Sequence, residues 1–208
     1  MSSIISHPLY LAALPLYTRL YKADRLVVDD ITPFVKQTLR NRTTIATESG
    51  SQALTIPVVH DGRCVPMRDI RISEHGNWRH QHWNALMSAY RKSPFFEYYA
   101  DDFALFYEER NGFLIDFNLR LHSVVCELLG LERKVELLSE ITDKEPLLTA
   151  IDTRHIAEPR TLAEVESCTK PYYQIFAQRN GFIPNLSIVD LLFNMGPEGL
   201  IVLRDSKE

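Results

Sequence analysis

Hydrophobic residues in the first part of the chain come in short runs, whereas later they recur every three or four positions. The short runs predict strands over 3–6, 25–29, 43–46, 53–58 and 69–73, with a helix over 12–22 between the first two. The later spacing predicts helices over 77–92, 101–110 and 113–129. Alternating strands and helices favour one α/β domain over 1–208. In it a mixed or mainly parallel sheet is covered by helices, and the N-terminal half is Rossmann-like.

The last part of the chain carries a second local pattern. Ser187 and Asp190 have the spacing of a capping box at the start of a short buried helix, which Gly196 and Pro197 end. Strands are predicted over 135–138 and 200–203, and the polar segment 142–166 shows no period.

Composition narrows the function classes. A hydrophobic content of 45%, a charged content of 24% and a net charge of -4 are typical of a soluble globular protein without nucleic-acid partners. No apolar run reaches the roughly 18 residues that span a bilayer, and the run over 9–17 lacks the basic leader of a signal peptide. The three cysteines are far apart and form no metal-binding spacing, which favours a cytoplasmic location.

Polar residues follow the predicted strands. His7 comes after the first strand, Asp29 and Asp30 end the second, and the segment 40–42 follows about ten residues later. Residues just past the carboxyl ends of strands in an α/β sheet share one edge, where ligands usually bind. We expect Asp30 to face this site, because Asp29 would share the face of Val27 in a strand of period two.

These residue types suggest specific roles. His7 can transfer a proton or fix a turn, and Asp30 can orient it as a base. Arg40 and Arg42 suit carboxylates or phosphates, and Asn41 suits a carbonyl group, although a solvated loop has the same composition.

The histidines of the predicted helix do not form a metal site. His80 and His82 project roughly 200° apart on a regular helix, so we predict no metal there. His82 lies on the less polar side, as a proton-transfer residue or a core histidine. The chain contains no P-loop, GxGxxG or GxSxG motif, and it specifies neither a cofactor nor an oligomeric state.

Several blocks, in order along the chain, resemble the WbqC-like proteins. The opening block holds His7, Pro8 and Tyr10, without the glutamine that the family usually has after the histidine. The later blocks are Asp29-Asp30, Arg40 to Ile45, Leu54 to Val58, Trp78 with His82, and Phe182 to Gly196.

The resemblance implies a bacterial protein of surface-polysaccharide biosynthesis that modifies sugars. We expect a transferase that moves an acyl or aminoacyl group to an amino sugar, with a small molecule or nucleotide-sugar as substrate. His7, His82 and Asp30 are the expected catalytic residues. The expected substrate-binding residues are Tyr10, Arg40, Asn41, Arg42 and Asn185. The alternatives are a nucleotide-binding nucleotidyltransferase or ligase, and a non-catalytic binding or scaffold protein of envelope biosynthesis.

Overall fold

The fold is seen in a computed structural model that describes residues 2–59, 62, 64–110, 112–143, 147–160 and 169–206. The strands are β1 (Ser3–Ser6), β2 (Arg25–Val28), β3 (Arg42–Thr47), β4 (Gly50–Thr55), β5 (Val58–Val59), β6 (Arg71–Ile72), β7 (Lys134–Leu137) and β8 (Ile151–Asp152). The α-helices are α1 (Leu14–Lys22), α2 (Trp78–Tyr90), α3 (Phe96–Glu108), α4 (Leu114–Leu129), α5 (Ala177–Asn180), α6 (Ile188–Met195) and α7 (Gly199–Asp205).

The main sheet is parallel and has the order β7-β2-β1-β8. Its two central strands are mostly buried, as the strands of a parallel sheet covered by helices usually are. In chain order the strands lie third, second, first and fourth, so the winding direction reverses between β1 and β8. A reversal of this kind opens a crevice at the carboxyl ends of the two strands.

The predicted fold class is confirmed as α/β with a mainly parallel sheet, whereas the Rossmann-like half and the single domain over 1–208 stay predictions. Strands β3 and β4 form a separate antiparallel hairpin, and β5 and β6 form a second small pair. One cluster of buried apolar side chains joins the main sheet, the hairpin and the helices. Among the described residues, no helix combines the length and the apolar character needed to cross a bilayer.

Helix α4 shows how the sequence pattern produces this packing. Leu114, Phe117 and Leu121 recur at helical spacing and are fully buried. The helix ends at Gly130, whose φ of 66° provides the left-handed C-cap that the sequence predicts.

Two local predictions are wrong. Residues 200–203 belong to helix α7 rather than to a strand, because a short apolar run fits either element and packing on α1 decides it. Ser187 precedes α6 without capping it, since its hydroxyl donates to the carbonyl of Leu11 instead. Helix α3 also begins at Phe96, earlier than predicted.

Candidate active site at the carboxyl edge of the sheet

The carboxyl ends of the parallel strands bring four charged or titratable side chains to one region. His7 follows β1, Asp29 follows β2, and Arg154 comes just after β8. Arg40 comes from the loop before β3, and its charge acts on both His7 and Asp29. His7 therefore lies in one region with a carboxylate and two guanidinium groups.

His7 is the buried base of this group. Its side chain is 6% exposed, and burial, with help from the charge of Arg40, lowers the pKa of the imidazole to about 4. The carboxylate and main chain of Asp29 oppose this shift without cancelling it. In the described part of the chain, Nδ1 has no hydrogen-bond partner. At pH 7 the ring is neutral, and one nitrogen is unengaged and able to accept a proton.

Asp29 is held by three donors. The main-chain N–H and the hydroxyl of Thr32 donate over 2.9 and 2.7 Å, and Arg154 Nη1 donates over 2.9 Å. Burial alone would raise the pKa of Asp29, but these bonds outweigh it and leave the pKa below its usual value. Asp29 is therefore an ionised partner for the positive charges around it.

Asp30, the carboxylate expected to face the site, has a different neighbour. It is buried, and its Oδ1 accepts from the main-chain N–H of Ser139 over 3.0 Å, next to the end of β7. The charges that act on His7 are those of Arg40, Asp29 and Arg154. A strand of period two separates the two carboxylates, as expected, but the one beside His7 is Asp29.

The three residues of segment 40–42 diverge. The guanidinium of Arg40 is 3% exposed and contacts Thr38 and Glu158, while its Nε has no partner among the described residues. Asn41 donates to the carbonyl of Ile56 over 2.8 Å and leaves its buried Oδ1 unbonded in the same described part. Arg42 lies on the hairpin and donates to the hydroxyl of Thr55. Of these residues, Arg40 is the one next to His7.

Two further residues of the site were not predicted from the sequence. Asn118 of α4 donates to the carbonyls of Pro8 and Arg40 over 3.0 and 2.8 Å, and so joins the two loops of the site. The sequence feature that could have indicated Asn118 is an amide residue on the otherwise apolar face of α4. Arg154 follows a two-residue strand in a segment without any period, and it had no signal.

His82 and Tyr10 form a separate aromatic cluster. The Tyr10 hydroxyl lies 3.0 Å from His82 Nδ1 and 2.8 Å from the hydroxyl of Tyr107, and the ring of Trp78 packs edge-on against His82. Burial lowers the pKa of His82 to about 4, and a hydrogen bond with the main chain of Thr55 opposes the shift. We assign Nδ1 as the acceptor from Tyr10 and Nε2 as the donor to Thr55. Both ring nitrogens are then occupied.

The remaining candidates lie at the surface or near the C-terminal block. His80 is exposed and contacts Asn84 on the opposite side of α2 from His82. No group of three histidine, cysteine or acidic side chains within the described ranges is arranged to hold a metal ion. Asn185 is buried and accepts from the hydroxyl of Thr169 over 3.2 Å. A small cavity near Ala13 brings it close to Tyr10 and Arg42.

The loop after His7 is pinned by distant parts of the chain. Leu11 has a φ of 41°, an unfavourable conformation for a residue other than glycine. Its carbonyl accepts from the hydroxyls of Thr43 and Ser187, both over 2.9 Å. The opening block, the Arg40 to Ile45 block and the last block therefore meet at one strained turn.

Comparison with known proteins shows which family the chain belongs to. The WbqC-like protein family matches residues 7–159, which is most of the chain. The chain belongs to the WbqC-like family. This WbqC-like protein is also 29% identical over 206 residues to a protein from Mycobacterium tuberculosis (strain ATCC 25618 / H37Rv), "Uncharacterized protein Rv1507c". That alignment covers 87% of this chain and 88% of the relative. No solved structure matches the chain.

Proposed function

We propose that this WbqC-like protein is a cytoplasmic transferase that moves an acyl or aminoacyl group onto the amine of an amino sugar in bacterial surface-polysaccharide biosynthesis. One observation carries the proposal. A neutral imidazole, that of His7, stands at the end of the central strand, and its Nδ1 has no hydrogen-bond partner within the described ranges of the chain. The charges of Arg40 and Arg154 act on this imidazole. An amine nucleophile needs one deprotonation and one stabilised oxyanion, and these groups supply both.

The proposed reaction follows from these groups. The amine nitrogen attacks the carbonyl carbon of the donor and forms the new C–N bond, and Nδ1 of His7 accepts the amine proton. Arg40, whose Nε has no hydrogen-bond partner among the described residues, stabilises the oxyanion. The intermediate then collapses, the bond to the leaving group breaks, and His7 returns the proton to that group. Asp29 and Arg154 fix the electrostatic environment of His7, which is the part first predicted for Asp30.

His82 takes no part in this reaction. Both of its ring nitrogens are engaged by Tyr10 and Thr55, and aromatic rings enclose it. We therefore assign the base role to His7 alone, and to His82 the role of organising the aromatic core with Tyr10.

A nucleotidyltransferase or ligase is the second candidate, and the strand order favours it. The winding direction reverses beside β1, and nucleotides bind at such reversals in α/β sheets. Arg154, with a side chain 38% exposed, lies at the outer side of this region and suits a phosphate.

The test is a transfer assay with His7→Asn and His82→Gln variants. Purified protein is incubated with nucleotide-linked amino sugars and an acyl-coenzyme A or aminoacyl donor, and mass spectrometry detects the product. We expect His7→Asn to lower turnover by about 100-fold or more, and folded His82→Gln to retain turnover within about threefold. Equal turnover by His7→Asn and wild type would refute the base assignment. Melting-temperature shifts with ATP or CTP, without transfer, would favour the nucleotide enzyme, and no response to any small molecule would favour a scaffold protein.

A further inference from the structure

A concave surface lies away from His7, between the β3–β4 hairpin, helix α2 and the segment before α5. We call it the hairpin groove. Its cavity volume is about 820 Å³, within the usual range of ligand sites. Its lining residues lie within 47–52 of the hairpin, within 80–92 of α2 and the positions just after it, and at 175–176. None of these residues belongs to the candidate active site.

The lining of the hairpin groove is mostly neutral and able to form hydrogen bonds. The hydroxyl side chains are Thr47, Ser49 and Ser88, and the amide side chains are Gln52, Gln81 and Asn84. Each of these groups both donates and accepts hydrogen bonds, as does every hydroxyl of a sugar. Half-buried Phe176 adds an apolar ring face to this polar surface. A lining of this kind matches a polyhydroxylated ligand with one apolar face.

Among the residues that the structure describes, the acidic side chain of the groove is paired, whereas its two basic side chains are not. Glu48, its carboxylate, is paired with Arg179. Arg91 and Lys92 are exposed at the C-terminal end of α2, and within the described residues neither forms an ion pair. The net effect is a neutral polar groove with two available positive charges at one end, which attracts an anionic group.

The walls of the groove are tied together through the buried carboxylate of Asp190. It accepts from the hydroxyls of Tyr90 and Tyr172 over 2.9 and 2.6 Å, and from the amide of Gln174 over 3.0 Å. The Tyr90 oxygen in turn accepts from the main-chain N–H of Ala46 over 3.1 Å. Asp190 thus links α2, the hairpin and segment 172–174, which are the three walls.

A second set of contacts closes the outer side. Asn180 donates to the carbonyl of Thr47 over 2.9 Å, and Arg179 pairs with Glu48. The wall that carries Phe176 is therefore joined directly to the hairpin. Because Asp190 joins the walls on the buried side and these contacts join them on the outer side, the groove is formed before any ligand arrives. Little binding energy is then lost in ordering it.

We propose that the hairpin groove binds a phosphate-bearing saccharide. The sugar lies against Phe176 and bonds to Gln81 and Asn84, and the phosphate pairs with Arg91 and Lys92. Asp190 is a positioning residue that holds the three walls in place. The proposal goes beyond the proposed transferase activity, and it stands on the lining of the groove alone.

The test is calorimetric titration of wild-type protein with four probes, which are N-acetylglucosamine 1-phosphate, N-acetylglucosamine, inorganic phosphate and uridine monophosphate. We expect the sugar phosphate to bind about tenfold more tightly than the neutral sugar, because charge-assisted hydrogen bonds to the phosphate add to those of the sugar. The double variant Arg91→Gln, Lys92→Gln should lose this preference and keep the neutral-sugar affinity. The matched control Arg204→Gln, which removes an exposed charge elsewhere, should behave like wild type.

Amide chemical-shift mapping on wild-type protein gives a readout that does not depend on any variant. We expect the sugar phosphate to shift signals from the lining residues of α2 and from Phe176. A flat titration up to about 10 mM would overturn the proposal, and so would shifts confined to other regions. Inorganic phosphate binding as tightly as the sugar phosphate would also overturn it, and tighter binding of uridine monophosphate would assign the groove to nucleotides instead. His7→Asn should leave these titrations unchanged, so the two proposals fail separately.

Discussion

The guanidinium of Arg154 donates to the buried carboxylate of Asp29 over 2.9 Å, and this bond joins the segment after β8 to the segment after β2. Arg154 also holds the exposed carboxylate of Asp152, and the two carboxylates together raise its pKa. The ion pair therefore spans the two sides of β1, the strand that presents His7.

We predict that Asp29→Asn lowers the free energy of unfolding by about 2 kcal/mol, because it replaces the buried charged acceptor of Thr32 and of Arg154 Nη1 with a neutral amide. The matched change Asp152→Asn should cost less than about 1 kcal/mol, since that carboxylate is exposed. Urea unfolding at pH 7 measures both values. Because the pKa of Asp29 is lowered in the folded state, its contribution is present above the ordinary value of 3.8 and is lost only as the pH falls further. Equal losses in the two variants would contradict this account.

Stability should fall between pH 6.5 and 4 because of three buried histidines. Burial is the main cause that lowers the pKa of His7, His82 and His122 to about 4, so each favours the folded state above the ordinary value of 6.5 and loses this contribution as the pH falls through 4. Each contributes about 3 kcal/mol. Asp190 acts in the opposite direction, because burial raises its pKa to about 6, and its protonation adds about 3 kcal/mol as the pH falls. The three histidines together outweigh Asp190, so the free energy of unfolding should decrease as the pH falls.

Unfolding free energies at a series of pH values check this balance. His122→Asn should reduce the pH slope by up to about one proton, and His80→Asn, an exposed position on α2, should leave it unchanged. A wild-type protein that gains stability between pH 6.5 and 4.5 would show that Asp190 dominates and that the prediction is wrong.

Asn118→Ala should destabilise the protein and lower transferase turnover together. The change removes the two bonds to the carbonyls of Pro8 and Arg40, which costs about 2 kcal/mol and frees the two loops that carry His7 and Arg40. Asn77→Ala is the control, because Asn77 precedes α2 without a capping hydrogen bond and is exposed. Thermal melting and the transfer assay on the same samples provide the measurements. An unchanged melting temperature in Asn118→Ala would contradict the role of Asn118 in joining the two loops.

Gly196→Ala should cost about 3 kcal/mol, because an added Cβ would lie 2.5 Å from the ring of Phe95, and φ at this position is 53°. Gly112→Ala should be close to neutral, since nothing lies within 4 Å of the added atom. Circular-dichroism melting compares the two variants. Similar melting temperatures for both would mean that Phe95 moves aside easily.

The sequence alone was sufficient for features that depend on neighbours along the chain. Periodicity located β1, β2 and helix α4 with its C-cap at Gly130, and the order of strands and helices predicted an α/β fold. The position of His7 after a strand also indicated the edge of the sheet where it lies. These features depend on backbone geometry and local spacing, which a linear pattern encodes.

Only the tertiary structure decided which polar groups meet. It placed Asp29 rather than Asp30 beside His7, enclosed His82 with Tyr10, and introduced Arg154 from a strand too short to leave a pattern. It also turned Asp190 from an expected helix cap into a buried acceptor for residues far along the chain. Hydrogen bonds of this kind depend on distances between elements, and packing of the whole core sets those distances.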